Sequence, residues 1–337
     1  MINVLSKLSR KENLTKEDIR QTLESIASNQ ATEAQMGAFI MGMRLKGETI
    51  EEITEIAKFF RERALKVPVD NQEELLDTCG TGGDGKSTFN ISTASAFVIA
   101  GAGFKVAKHG NKSISSKCGS ADILERLGVN INISPNHIAR CIEEVGIGFI
   151  YAPFHHGVMK NIAKPRKELG IKSVFNLVGP LSNPAGAKRQ IMGVYDISLV
   201  EKIAYVLKEL GNIKSFVFSS YDGMDEVSIS SKTLVARQTK DNVDIFEFDP
   251  TEYGFSFKNI EDIQAKDIEE SLNLFNMALS GKPSAALDVV LINASFGIMA
   301  FGDINFKEAL EMAKESIFSK KALNKLQSLV ECSNYNK

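Results

Sequence analysis

The chain predicts an α/β fold: a small N-terminal helical domain, then a large α/β domain built on a central, mostly parallel sheet. Three observations predict it. Residues 1–66 read as all-helical, with three capping boxes marking three helix starts. From about residue 74, short strand-like runs alternate with helical ones, the pattern of right-handed parallel crossovers. Two consecutive strand–loop–helix units carry loops rich in glycine and hydroxyls, Asp77–Thr93 and Lys108–Asp122.

In the helical part, the boxes are Thr15-x-x-Asp18, Thr32-x-x-Gln35 and Thr49-x-x-Glu52, and Gly47 suits a C-terminal cap between the second and third helices. Ile19, Leu23 and Ile26 stripe the first helix; Ile53, Ile56, Phe59 and Phe60 stripe the third. The second is apolar almost all round (Met36, Ala38, Phe39, Ile40, Met41, Met43, Leu45), which predicts burial on two sides, within its own domain or against another subunit. Val67-Pro68-Val69 ends this unit, giving a helical domain over 1–68 and an α/β domain over 74–337.

Strand-like runs follow at Phe104–Ala107, Gly148–Tyr151, Gly193–Tyr195, Ser215–Ser219, Val227–Ser230, Thr233–Gln238 and Val243–Phe248. Helix-like runs lie at Ile91–Ala102, Ala121–Leu127, Pro135–Glu144, Leu199–Leu210, Ile268–Leu279, Ala285–Met299 and Asn305–Ser316. Turn residues separate the runs from Ser215 to Phe248, which predicts antiparallel hairpins at a sheet edge. The segment 153–184 breaks the alternation. It is helical in pattern, rich in Lys and Arg, and closed by Gly-Pro and Asn-Pro turns. It is expected to leave the sheet, pack on the N-terminal helices and form a hinge beside a cleft.

The glycine-rich loops carry the chemistry. The first reads D-T-C-G-T-G-G-D-G-K-S-T-F-N-I-S-T, ahead of the apolar run Ile91–Ala102. Glycines strip side chains and allow positive φ, so N–H groups can converge on an anion. The helix behind them offers its positive end. Neither G-x-G-x-x-G nor the P-loop pattern is present. Read alone, such a stretch is a flexible turn; a second loop of the same design argues for function. That loop holds Lys108, Lys112 and Lys117, with Asn111 and the hydroxyls of Ser113, Ser115, Ser116 and Ser120. Both loops fall at one edge of a parallel sheet, where open α/β folds bind ligands.

Asp225-Glu226 sits between two strand-like runs, either as solvated turn charges or as hard oxygen ligands for Mg²⁺. Arg166 lies on the basic interrupting segment; its fork of donors suits a carboxylate or phosphate. The spacing of His109, His155 and His156 does not indicate a metal site, and His137 is expected at the surface. Cys79, Cys118, Cys141 and Cys332 include no C-x-x-C pair, so spacing indicates neither zinc nor a redox dithiol.

A net charge of −2 makes no case for a dedicated nucleic-acid binder. Apolar stretches of about ten residues are too short to span a bilayer. Residues 1–9 lack the apolar core of a signal peptide, so a cytoplasmic protein is expected.

Taken together, D-T-C-G-T-G-G-D-G with F-N-I-S-T (77–93), K-H-G-N-K-S-I-S-S-K (108–117), G-S-A-D-I-L-E-R-L-G (119–128), P-R-K-E-L-G (165–170), F-N-L-V-G-P-L-S-N-P (175–184) and M-D-E-V-S (224–228) resemble the anthranilate phosphoribosyltransferase family over almost the whole chain. The resemblance implies the nucleoside phosphorylase/phosphoribosyltransferase type of fold and a homodimer. It implies transfer of phosphoribosyl from 5-phosphoribosyl 1-diphosphate (PRPP) to the amine of anthranilate in tryptophan biosynthesis, with Mg²⁺, two ions per monomer. By the same resemblance, Gly80, Gly83, Asp84, Thr88, Asn90, Ile91, Ser92 and Thr93 would hold PRPP. Lys108, His109, Gly110, Asn111, Lys112, Ser113, Ile114, Ser115, Ser116 and Ser120 would form its second wall. Gly80, Asn111 and Arg166 would hold anthranilate, and Ser92, Asp225 and Glu226 would hold metal. No general base is assigned. Departures are Lys112, where the family usually has Arg, Cys118, where it has Ser, and the order Lys164-Pro165-Arg166. Pyrimidine nucleoside phosphorylases share the architecture but use phosphate and no PRPP. A nucleic-acid-binding relative would need a basic cleft and no acid pair.

Overall fold

In the computed structural model, which describes residues 1–112 and 118–335, the chain opens with four helices: α1 (Ile2–Ser9), α2 (Lys16–Ala27), α3 (Glu33–Lys46) and α4 (Ile50–Arg63). All three capping boxes form: the hydroxyls of Thr15, Thr32 and Thr49 accept the N–H groups of Asp18, Gln35 and Glu52. Gly47 ends α3 at φ 83°. No capping box announces α1, whose N-cap is Met1. It is held by packing, with Leu8 against α3 so closely that a Cβ on Gly42 would lie 3.0 Å from it. The boxes therefore revealed three helices, and a fourth came from burial alone.

The sheet has seven strands in the order β3-β2-β1-β4-β5-β6-β7. Its elements are β1 (Leu75–Gly80), α5 (Ile91–Gly101), β2 (Lys105–Gly110), α6 (Ser120–Arg126), α7 (Pro135–Val145), β3 (Ile147–Tyr151), α8 (Ala152–His155), α9 (Gly157–Leu169), α10 (Val174–Leu181), β4 (Arg189–Gly193), α11 (Val200–Glu209), β5 (Lys214–Ser220), β6 (Thr233–Thr239) and β7 (Val243–Phe248). Four helices complete the chain: α12 (Ile268–Leu279), α13 (Ala285–Met299), α14 (Phe306–Phe318) and α15 (Lys321–Asn334). The first five strands pair in parallel; β5, β6 and β7 pair antiparallel, the hairpins the turn residues predict. β1 adds β2 on one side and β4 on the other, so the winding reverses between β1 and β4. A crevice opens at the carboxyl ends of the strands at such a reversal.

Side chains alternate across the strands. Phe216 and Phe218 enter the core under α5 and α13, whereas Val217 enters the core shared with the N-terminal helices. The segment 152–181 leaves the sheet as α8–α10: α9 packs on α2 and α3, and α10 on α4. Phe175 of α10 meets Phe39 and Phe60 edge-on at 6.5 and 6.2 Å.

Besides α1 and α15, which the sequence reading did not name, three elements differ from it. Val227–Ser230 is not a strand: Val227 N–H donates to Asn293 Oδ1 (3.0 Å), Ser228 N–H to Ser220 Oγ (3.0 Å) and Ser230 N–H to Ser228 Oγ (2.8 Å). Side chains thus satisfy the donors a neighbouring strand would need. The run expected at Gly193–Tyr195 is instead the strand Arg189–Gly193. Its polar residues hid it; Gln190 is buried and donates to Pro180 O at 2.7 Å. β1 was overlooked because Asp77 and Thr78 are buried polar residues inside an apolar strand.

Candidate active site

One cavity of about 760 Å³ lies over the carboxyl ends of β1 and β2. It is lined by Gly80, Gly83, Asp84, Thr88, Asn90, Ile91, Ser92, Thr93, Lys108, His109, Gly110, Asn111, Lys112, Ser120, Arg166, Asp225 and Glu226. The structure therefore brings together every described residue that the sequence singled out for a site. Ser113, Ile114, Ser115 and Ser116 lie outside the described residues.

The first loop runs from Gly80 to Asn90. Gly82, Gly83 and Gly85 take positive φ (63°, 76°, 75°), where a Cβ would strain the backbone. The loop is braced from behind: Phe89 N–H donates to Ile263 O at 3.0 Å, and Ala265 N–H to Ser87 O at 2.9 Å. Asn90 caps α5 and is not a free amide. Its Oδ1 accepts Ser271 Oγ–H at 2.9 Å and its Nδ2 donates to Cys118 O at 3.2 Å, joining the two loops. Ile91 is buried in the core, so only its backbone faces the cavity.

The second loop starts from a buried charge cluster. Lys108 Nζ donates to Thr78 O (2.6 Å), Thr78 Oγ1 (3.3 Å) and Ser92 Oγ (3.3 Å). All three ammonium donors are engaged, so Lys108 ties β2 to β1 and positions Ser92. Asp77 accepts His109 N–H at 3.0 Å. Burial pushes the Asp77 carboxyl up to about 6. Asn111 O accepts Ala121 N–H (3.1 Å) and Ser120 Oγ–H (3.3 Å), which folds the loop's end back onto α6. Lys112 is paired with Glu125 at 2.7 Å. His109 and His156 face each other with ring centres 5.0 Å apart, and burial pushes both below the usual imidazole range. Both rings are therefore neutral at pH 7.

The acids converge opposite Gly80. Asp225 Oδ2 accepts Gly82 N–H at 2.8 Å, and Asp225 N–H donates to Asp84 Oδ2 at 3.3 Å. Asp225 thus has a protein partner, which the sequence did not reveal. Gly193 is obligatory: a Cβ there would lie 1.5 Å from the Asp225 carbonyl oxygen. Burial, with the Asp84 carboxylate next, pushes Asp225 up to about 7. Burial, with Asp225 next, raises Glu226 well above the usual carboxylate range. Two acids that hold protons this tightly, with the Asp84 carboxylate beside them, are short of positive charge. Hard oxygens crowded beside a glycine-rich loop fit Mg²⁺ bound together with a phosphate group.

Arg166 faces the cavity from α9, on the helical side. Its guanidinium lies 5.9 Å from the Phe175 ring centre. Burial lowers its pKa, and among the described residues it forms no salt bridge. Sequence reasoning missed three further residues at this site. His156 and Lys172 line the cavity, and Asp77 holds His109 from beneath. The signal for Asp77 was an acid inside the apolar strand that precedes the loop. Nothing in the sequence marked Lys172.

A helical bundle joined to an α/β body, with an anion-ready cleft between them, is the architecture of a glycosyl transferase. Residues 2–64 match the model "Glycosyl transferase family, helical bundle domain", and residues 72–323 match "Glycosyl transferase family, a/b domain". The chain belongs to the anthranilate phosphoribosyltransferase family. The relative of that name from Aquifex aeolicus is 49% identical over 334 residues, covering 98% of each chain, and that from Persephonella marina is 46% identical over 331 residues, again covering 98% of each. The crystal structure of the Thermus thermophilus enzyme superposes with a TM-score of 0.92 at 33% identity, covering 98% of this chain and 99% of that one. The Saccharomyces cerevisiae enzyme in complex with PRPP and Mg superposes at 0.89 and 28% identity, covering 98% and 97%.

Proposed function

We propose that the chain transfers the phosphoribosyl group of PRPP to the amine of anthranilate, giving N-(5-phosphoribosyl)anthranilate and pyrophosphate in tryptophan biosynthesis. The observation that carries this reading is what one cavity brings together. It joins two glycine-rich anion loops, a cation-poor acid cluster and an unpaired Arg166 on the facing wall.

The chemistry follows from the residues. Breaking the ribosyl C1–O bond leaves an oxocarbenium-like sugar and a pyrophosphate anion, so the protein has to stabilise the leaving charge and align the amine. The loop N–H groups at Gly83 and Asp84 and the start of α5 hold the pyrophosphate. Lys108 keeps Ser92 in place beneath it. On this reading Ser92, Asp225, Glu226 and Asp84 hold two Mg²⁺ per subunit, and the metal supplies charge neutralisation of the pyrophosphate. Arg166 takes the anthranilate carboxylate in a two-bond fork, with Gly80 and Asn111 against the ring. The arylamine is neutral at pH 7 and attacks without a strong base, which agrees with the weak basicity that burial gives His109 and His156.

We also infer a homodimer in the cytoplasm. Ile2 of α1 and Leu45 of α3 are 75% and 69% exposed, and half-buried Met41 also lies on α3. Large apolar side chains on adjoining helices call for a cover. No helix among the described residues is long and apolar enough to cross a membrane.

The test of the activity is loss of anthranilate fluorescence with PRPP and Mg²⁺. The signal should fall with all three present, and persist when phosphate replaces PRPP. Fluorescence that stays constant with the complete mixture would refute the assignment.

A further inference from the structure

We propose that Cys141 and Cys332 form a reversible disulfide that pins α15 to α7, a modification site remote from the substrate cavity. The two sulfurs lie 2.9 Å apart across 191 residues of sequence. Both residues are buried, and both are free thiols here. A disulfide holds its sulfurs at about 2.05 Å, so the pair has less than ~1 Å left to close.

The place of the pair gives the bond a consequence. α15 has no side-chain cap at its start, where Lys320 takes φ 64°. What holds the helix is the packing of Ala322, Leu326, Leu329 and Cys332 against α5 and α7. α5 carries Asn90–Thr93 at its other end, on the cavity wall. A covalent link at Cys332 therefore fixes the element that backs the first loop's helix.

A metal ion is the competing use of this cluster, because His137 also lies within 4.8 Å. His137 Nε2 is 2.7 Å from the Cys332 carbonyl oxygen, so it carries the proton and donates, and only Nδ1 keeps a lone pair for a metal. One distance argues against the metal. Thiolates sharing one tetrahedral zinc, each at about 2.3 Å, stand roughly 3.8 Å apart, further than the sulfurs do here.

The exchange balances with a small disulfide as the oxidant. Cys332 sits in the last turn of α15 and is 9% exposed, against 0% for Cys141. Helix ends fray, so Cys332 is the first to react. Its thiolate attacks the small disulfide, releases one thiol and keeps the other half as a mixed disulfide. The Cys141 thiol then gives its proton to water and attacks Cys332 Sγ, which forms the protein disulfide and expels the second thiol. Two electrons pass from the protein pair to the small disulfide.

The experiment incubates the intact protein with oxidised glutathione, then reads intact mass, non-reduced peptides and melting. The expected result is a mass loss of two hydrogens, a Cys141–Cys332 linked peptide pair and a Tm raised by roughly 5 °C, all reversed by dithiothreitol. Cys332→Ser and Cys141→Ala should each abolish the link and the shift, whereas Cys79→Ser keeps both. Four titratable thiols after incubation, glutathione retained on Cys332, or a link between another pair would overturn the proposal. A link that leaves Tm unchanged would overturn the pinning. Stabilisation by zinc ion alone that Cys332→Ser removes would replace the disulfide with the metal reading.

Discussion

The carboxylate of Asp225 accepts the backbone N–H of Gly82 at 2.8 Å, across 143 residues of sequence. One acid thus both shapes the first loop and stands in the acid cluster. Loop geometry and charge supply are coupled at a single side chain.

The coupling predicts the effect of removing the acids. Replacing Asp225 and Glu226 together with Ala should lower kcat by on the order of 10²-fold or more and weaken the response to added Mg²⁺. Circular dichroism should show the fold retained. A double variant with full turnover at ordinary Mg²⁺ refutes the role.

A pH dependence of stability follows from the same residues. Asp77 and Asp225 have folded pKa values near 6 and 7, above those of an unfolded aspartate. Between the unfolded and folded values the native state binds more protons. Their contribution to stability is therefore full at acid pH and declines as pH rises through 6 to 7. The buried histidines His109 and His156 act in the opposite direction near pH 5 to 6.5, so the acid's share is read by difference: without Mg²⁺, Asp225→Asn should gain about 1–2 kcal/mol on wild type between pH 5 and pH 8. Melting curves of both proteins in chelator at the two pH values check it; a variant whose offset from wild type is the same at both contradicts it.

Gly193→Ala should be unusually damaging for so small a change. The added methyl would overlap the Asp225 carbonyl, which is backbone and cannot rotate away. We expect a stability loss of about 1–3 kcal/mol and weaker PRPP binding, because the loop that carries Asp225 must move. Chemical denaturation with a PRPP titration tests this, and wild-type values in both measurements would contradict the contact.

Arg166→Ala should raise the KM for anthranilate by a factor matching roughly 2–5 kcal/mol, with the KM for PRPP little changed. Steady-state kinetics with each substrate varied in turn separates the cases. A rise confined to PRPP would make Arg166 a phosphate ligand.

The apolar surface of α1 and α3 predicts the assembly. Leu45→Asp should convert a dimer into a folded monomer at micromolar concentration, read by sedimentation. A wild-type chain that already sediments as a monomer refutes the dimer.

Much of this was legible in the sequence, for physical reasons. The capping boxes of α2–α4 are local hydrogen-bond patterns, and α12 and α13 matched their expected limits because α13 reads as a long apolar run and α12 as an amphipathic one capped by Asp267. Local chemistry also singled out the two loops, whose described residues line one cavity. Features that depend on remote partners could not be read. The strand β1 hid behind Asp77 and Thr78, whose burial is justified by remote partners, among them His109, Lys108 and Ser92. Val227–Ser230 has strand residues but gives its N–H groups to Asn293 and to serines. The 191-residue separation of Cys141 from Cys332 defeats any spacing rule.

The excursion of α8–α10 away from the sheet has a kinetic meaning. Arg166 rides on α9, which is seated on the N-terminal helices, whereas the glycine-rich loops belong to the sheet. On the proposed roles, the donor and acceptor substrates are carried by separate bodies, and the gap between amine and sugar carbon is set by the angle between those bodies. A solute wedged at their junction would then slow transfer while leaving both substrates bound, the signature of a noncompetitive inhibitor. Stiffening the same junction would trade turnover for heat resistance.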